Sequence, residues 1–151
     1  MGAAAPPNRL RVHTPDPANN SAVGTMELRR RFVNNTGRNV TRLRFRVADI
    51  TTFPSPPTFA NLRARTSPTI LVSGVADPAT CSPLPAPCTV TVRGTTLETP
   101  PAQPAGGGFN SALSVMLPAP LAPGASVNVR FLLGVQQTGS YRLYVTIEAL
   151  P

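Results

Sequence analysis

His13 is the only imidazole in this 151-residue chain, and Asp16 follows it closely in Val12-His13-Thr14-Pro15-Asp16-Pro17. Paired with an activated Ser, such residues could perform acyl transfer. The flanking prolines instead mark a turn, in which Asp accepts hydrogen bonds from nearby backbone, so no catalytic residues are expected. Asp16, Asp49 and Asp77 are scattered and no spaced His/Cys cluster exists, so no metal centre is expected, with calcium held by loop oxygens as the remaining metal option. Gly106-Gly107-Gly108 follows a proline run rather than a strand, which makes it a bend rather than a phosphate loop. The expected cofactor set is therefore none.

Cys81 and Cys88 enclose a proline-stiffened loop, Cys-Ser-Pro-Leu-Pro-Ala-Pro-Cys. A zinc pair would want a shorter gap and a second pair elsewhere, and two free thiols would suit a reducing compartment. A local disulfide is the expected state, worth about 2.5 kcal/mol for so short a loop in the chain-entropy picture. It implies an oxidising environment, hence an extracellular or cell-surface location.

Arginine is the other chemical resource. All 14 basic residues are Arg against six acids, for a formal net charge of +8. Arg29 and Arg31, then Arg42, Arg44 and Arg46, recur at every second position, with Glu27 the one acid among them. If the two segments pair as a hairpin, these guanidinium groups crowd one solvent face, where like charges opposite one another repel. Three things could offset that: the surface of a neighbouring domain or identical subunit, an acidic polysaccharide, or plain solvation with the stems lying over apolar neighbours. Nucleic acid is not the expected partner, because recognition of bases adds aromatic platforms among the charges and the stripe contains none.

The elements that would position these residues are strands. From Thr25 to Val33 the residues Met26, Leu28 and Phe32 share one face, with Arg30 in the same phase; from Thr41 to Asp49, Leu43, Phe45 and Val47 do so. Between them, Asn34 to Asn39 reads as a hairpin turn. Val127 to Val135 and Tyr141 to Ile147 read as a second hairpin around Thr138-Gly139-Ser140. Thr69 to Val75, Cys88 to Leu97, Ser111 to Leu117 and an edge strand Arg9 to Val12 complete seven or eight antiparallel strands. Two Pro/Gly-rich stretches, Thr52 to Thr58 and Thr99 to Gly108, are expected to cross between sheets.

The 19 prolines and the 13% charged residues, against about 25% in an ordinary domain, fit one proline-punctuated β domain. Residues 1–7 read as a flexible or trimmed N-terminus and 8–151 as the domain. No run of 18 apolar residues occurs, so no membrane insertion is expected, and the start lacks the features of a signal peptide.

Arg31-Phe32-Val33-Asn34-Asn35-Thr36-Gly37, continuing through Val40 to Val47, resembles the opening of bacterial Ig-like modules of large secreted proteins. Leu121 to Phe131 and Thr138 to Tyr141 resemble their later turn and paired strands. More narrowly, Gly94 to Glu98, Gly106 to Asn110 and Leu132 to Gly139 look like an uncharacterised module ending long extracellular proteins of acidobacteria-like organisms. The resemblance covers most of residues 8–151 and brings no assigned activity. Antibody-type hallmarks are missing: no inter-sheet Cys pair, no core Trp, and a Gly139-Ser140-Tyr141 tyrosine corner with Leu143 where a Cys would stand. The expected fold is an all-β, antiparallel Ig-like β-sandwich. The expected function is a non-catalytic structural or adhesion module, a subunit of a surface assembly or filament through strand addition. The alternative is a glycan or polyanion-binding module using the arginine face.

Overall fold

The computed structural model describes residues 6–51, 58–98 and 106–151. The chain runs through Asn8–Val12 (β1), Thr25–Val33 (β2), Val40–Ile50 (β3), Asn61–Arg65 (β4), Ile70–Val75 (β5), the short helix Pro78–Cys81 (α1), Cys88–Arg93 (β6), Thr96–Glu98 (β7), Ala112–Leu121 (β8), Ser126–Gln137 (β9) and Leu143–Leu150 (β10). The all-β expectation holds. The strands form a six-stranded sheet in the order β1-β2-β9-β6-β5, with β4 also on β9, and a four-stranded sheet in the order β10-β3-β8-β7.

Two expectations about pairing need correction. β2 and β3 are not a hairpin, because β2 pairs β1 and β9 while β3 pairs β10 and β8. Nor do β9 and β10 pair with each other; they too lie in different sheets. In each case the short connection is an arch carrying the chain from one layer to the other. An amphipathic strand can bury its apolar face beside its neighbour or opposite it, and here the second arrangement wins. The sandwich is also not purely antiparallel, since β6 runs parallel to β9 at Val92↔Asn128 and Arg93↔Val129, and the six-stranded sheet is mixed and curled.

The predicted strand Cys88 to Leu97 is cut at Gly94-Thr95 into β6 and β7, one in each sheet. β4 is a strand the alternation did not reveal. The stretches 52–57 and 99–105, like residues 1–5, lie outside the described residues. Their flanks show that the first connects β3 to β4 and so crosses between sheets, as expected, whereas the second joins β7 to β8, neighbours in one sheet.

Asn34 locks two arches together. Its side-chain amide donates to the carbonyls of Arg38 and Leu121, each at 2.7 Å, and its Oδ1 accepts from the Thr36 amide and hydroxyl. Its backbone N–H reaches Ala125 O at 2.9 Å and its carbonyl accepts from Gly124 N at 2.8 Å. A buried Asn with this many partners is a satisfied polar group rather than a defect in the core.

Between the layers sits the main core. Met26 and Leu28 from β2, Leu43, Phe45 and Val47 from β3, Leu113 and Val115 from β8, and Val129, Phe131, Leu133 and Val135 from β9 are all buried. Their period-two spacing is the reason each strand turns one face inward. Phe32, Phe45 and Phe131 form an aromatic trio across both sheets, with Phe45 5.0 Å from Phe32 and 4.9 Å from Phe131, the latter perpendicular. A second, smaller cluster of Val72, Val75, Cys81, Cys88, Val90 and Val92 fills the hairpin of β5 and β6. Gly134 in β9 lets the loop around Asn20 lie against the sheet, because a Cβ there would stand 2.0 Å from Asn20 O.

Candidate functional site

The Cys81–Cys88 disulfide is present, with Cα atoms 5.7 Å apart. Both cysteines are buried in the small cluster, so the bridge closes that core as well as the loop. Asp77 caps α1, accepting the Thr80 N–H at 2.9 Å and the Thr80 hydroxyl. These bonds, the hydroxyl foremost, hold its carboxyl below the usual range.

His13 is exposed. Asp16 accepts from the Asn19 amide at 2.9 Å and pairs with Arg65, a turn residue tied down by neighbours. Among the described residues no group of three or more His, Cys, Asp or Glu could hold a metal ion, and no helix there is long and apolar enough to cross a membrane.

The arginine stripe does not form one face. Arg29 and Arg31 belong to the outer face of the six-stranded sheet and Arg42, Arg44 and Arg46 to that of the four-stranded sheet, because the hairpin that would unite them does not exist. The split has a chemical reason visible in each half. On the four-stranded sheet the three β3 arginines interleave with carboxylates from both sides. Arg42 and Arg44 meet Glu98 of β7, the second at 2.9 Å, while Arg44 and Arg46 meet Glu148 of β10 at 3.2 and 3.4 Å. The small side chains of Ala112 and Ser114 on the intervening β8 leave room for Glu98 to reach across.

On the six-stranded sheet, Arg29 of β2 lies directly opposite Arg130 of β9. Glu27 bridges the two, with one carboxylate oxygen on Arg29 Nε at 2.5 Å and the other on Arg130 Nη2. All three side chains are nearly buried, at 11–12% exposure. Arg130 also donates to Pro68 O at 3.2 Å, so the segment leading into β5 closes over the group. Arg31 donates to Ser126 Oγ and Ala79 O, both at 3.0 Å.

For Glu98, desolvation is the largest single influence and raises its carboxyl, but the bonds and charges of Arg44 and Arg42 together outweigh it and the carboxyl is lowered. For Glu148 the Arg44 bond dominates and lowers it. A folded-state value below the ordinary 4.5 means stability that is fully present above the unfolded value and is lost as pH falls through the folded one. The melting temperature is therefore expected to drop as pH is taken below about 4.5. Glu98→Gln with Glu148→Gln should lower the melting temperature at neutral pH and flatten that acid drop. An acid profile as steep as that of the wild type would show that the ladder is not its source.

The segments outside the described residues contain no Asp or Glu, so the disposition of all six acids is known. Five pair with arginines and Asp77 caps α1. Seven arginines share those five carboxylates. Of the others, Arg9, Arg30 and Arg31 converge with Pro7, Asn8 and Tyr141 on an open cleft of about 670 Å³ where β1 ends beside β2. Arg9 Nη1 donates to Tyr141 Oη at 3.2 Å, and its guanidinium lies 5.9 Å from the ring centroid. The stripe reading overlooked this group, although the sequence carries its signal: Arg30 interrupts the apolar phase of Met26, Leu28 and Phe32. No protein-family model, curated protein or solved structure matches the chain.

Proposed function

We propose that this chain is a non-catalytic, extracellular β-sandwich module, akin to the Ig-like modules of large secreted bacterial proteins, that joins a second copy of itself edge to edge through β10. The observation that carries the reading is the contrast between β10 and the other sheet edges. β1 bears Arg9 and Arg11, β5 is interrupted by a register shift after Val72 with Gly74 at positive φ, and β7 has only three residues. Charge, irregularity and shortness are the usual protections of an edge. β10 is the least protected: eight residues without Pro, a single register shift near its start, between Tyr144 and Val145, and one charge, Glu148, with Tyr144 exposed on its outer face and Ile147 half-exposed on the opposite one.

A second copy is the favoured occupant because the edge is locally neutral. Glu148, the one charge within β10, is matched by Arg44 and Arg46, and Arg142 just before it by Asp49. Two identical edges thus meet without repulsion along the seam, despite the net charge of the chain. Main-chain bonds supply the affinity in such strand addition. The disulfide supports an oxidising location.

Light scattering behind size-exclusion chromatography over a concentration series tests this. The wild type should associate, and Tyr144→Lys with Thr146→Lys, placing two charges on the exposed face of the edge, should remain monomeric with an unchanged melting temperature. A wild type that stays monomeric at high concentration, or a charged variant that still associates, refutes the β10 seam.

A further inference from the structure

The geometry points to the cleft between β1 and β2 as a binding site for an acidic polysaccharide, with Arg9, Arg30 and Arg31 as its cationic residues. This site stands apart from β10 and does not rest on the assembly reading. Three observations carry it. The first is charge accounting: no acid lines the cleft, and Asp77, the carboxylate that acts electrostatically on Arg31, is itself engaged in capping α1. Three arginines thus line a cleft that has no acid in its walls, an arrangement that favours a bound anion.

The second is that these guanidinium groups are held in place by neutral oxygens. Arg30 Nη1 donates to Arg29 O at 2.8 Å and Asn8 O at 3.3 Å, Arg31 to Ser126 Oγ and Ala79 O, and Arg9 to Tyr141 Oη. Such contacts orient the planar groups without cancelling their charge. Each Arg carries five N–H donors, so each keeps donors for a ligand oxygen. A fixed fork matches carboxylate or sulfate geometry better than a mobile ammonium.

The third is position. Arg30 stands in the inward phase of β2, where its neighbours Met26, Leu28 and Phe32 serve the core. Beyond Asn8, which pairs with Arg29, no described strand covers that side of β2. Arg30 is exposed there, so the phase that buries Met26 and Leu28 opens at this position and presents a guanidinium to the cleft.

The occupant follows from the same residues. More than one positive charge spread along an open cleft calls for an anion with repeated charges. Among the described residues Tyr141 is the one aromatic ring lining the cleft, and the Arg9 guanidinium already lies over it, so no platform is offered to nucleobases. Uronate or sulfate ester groups on a polysaccharide fit this chemistry.

Titration calorimetry with heparin and with polygalacturonate, at several salt concentrations, tests the site and distinguishes sulfate from carboxylate sources; inorganic sulfate and single-stranded DNA are the comparison probes. Binding of either polysaccharide is expected. Arg9→Gln with Arg30→Gln should weaken it at least about tenfold and lower the salt slope by about two, as loss of two ionic contacts requires. Arg42→Gln with Arg44→Gln should leave it within about twofold, since those groups are already matched by Glu98 and Glu148. Melting curves of both variants confirm folding, and if the first double variant fails to fold, the exposed Arg9→Gln alone should still weaken binding. Equal losses in both pairs, preference for single-stranded DNA, or binding of neither polysaccharide overturns the proposal.

Discussion

Replacing Phe45 with Ala is expected to remove about 3–5 kcal/mol of stability, the usual cost of truncating a buried aromatic. Phe45 is fully buried in β3, and its ring makes the two closer contacts of the trio, Phe32 at 5.0 Å and Phe131 at 4.9 Å, against 6.3 Å between Phe32 and Phe131. Phe32 and Phe131 belong to the opposite sheet, so Phe45 is one of the contacts by which one layer grips the other. Its removal forfeits buried area and two aromatic pairings at once, the latter worth about 0.5–1.5 kcal/mol each. A domain stable by only about 5–15 kcal/mol would lose a large share of its margin. Urea unfolding measures this. Phe45→Leu should be milder, and Phe109→Ala, at a ring 77% exposed, should change stability by no more than about 0.5 kcal/mol. Similar small effects at positions 45 and 109 would mean that the two layers are held together elsewhere.

The second large effect is expected at Glu27. Its carboxylate bridges Arg29 and Arg130, which face each other at paired positions and are nearly buried. Removing one partner from a buried ionic group costs about 3–5 kcal/mol, because the remaining charge is stranded without water or a counter-ion. Glu27→Ala strands two charges of the same sign. Replacing all three together, by Glu27→Leu, Arg29→Met and Arg130→Leu, should recover most of the loss, since desolvation of the charges is then avoided as well. A double-mutant cycle between Glu27 and Arg130 is the direct measurement. Additive single effects would rule out the bridge as an energetic unit.

Much of this architecture is legible in single strands and little of it in pairs. Leu43, Phe45 and Val47 and then Val129, Phe131, Leu133 and Val135 declare their inward faces through spacing alone, and the short proline-rich loop declares its disulfide. Which strand lies beside which is a different kind of information. Asn34 to Asn39 has the composition of a hairpin turn, yet the same residues serve equally well as an arch. What decides between them is that β2 finds its partners in β1 and β9, the second about a hundred residues away in sequence. The ladder on the four-stranded sheet was hidden for the same reason: Glu98 and Glu148 are remote from Arg44 in the chain, and only the sheet order brings them to it. β4 escaped because Asn61-Leu62-Arg63-Ala64-Arg65 has only small Ala64 and Leu62 to mark its inner face. The cleft at β1 is the reverse case, since Arg30 broke an apolar phase in plain view and acquires a meaning once Arg9 and Tyr141 are seen beside it.

β9 is the strand on which β2, β4 and β6 all pair, and it follows all three in the chain. Until Ser126 to Gln137 has been synthesised, β2 has only the five-residue β1 beside it and β4 has no ladder at all. The arches make this worse, because consecutive strands are sent to opposite layers and cannot close on one another as hairpins do. Such non-local closure is slow and favours collapse of the whole chain over stepwise growth from the N-terminus. A nascent chain of this topology stays open until β9 has been made.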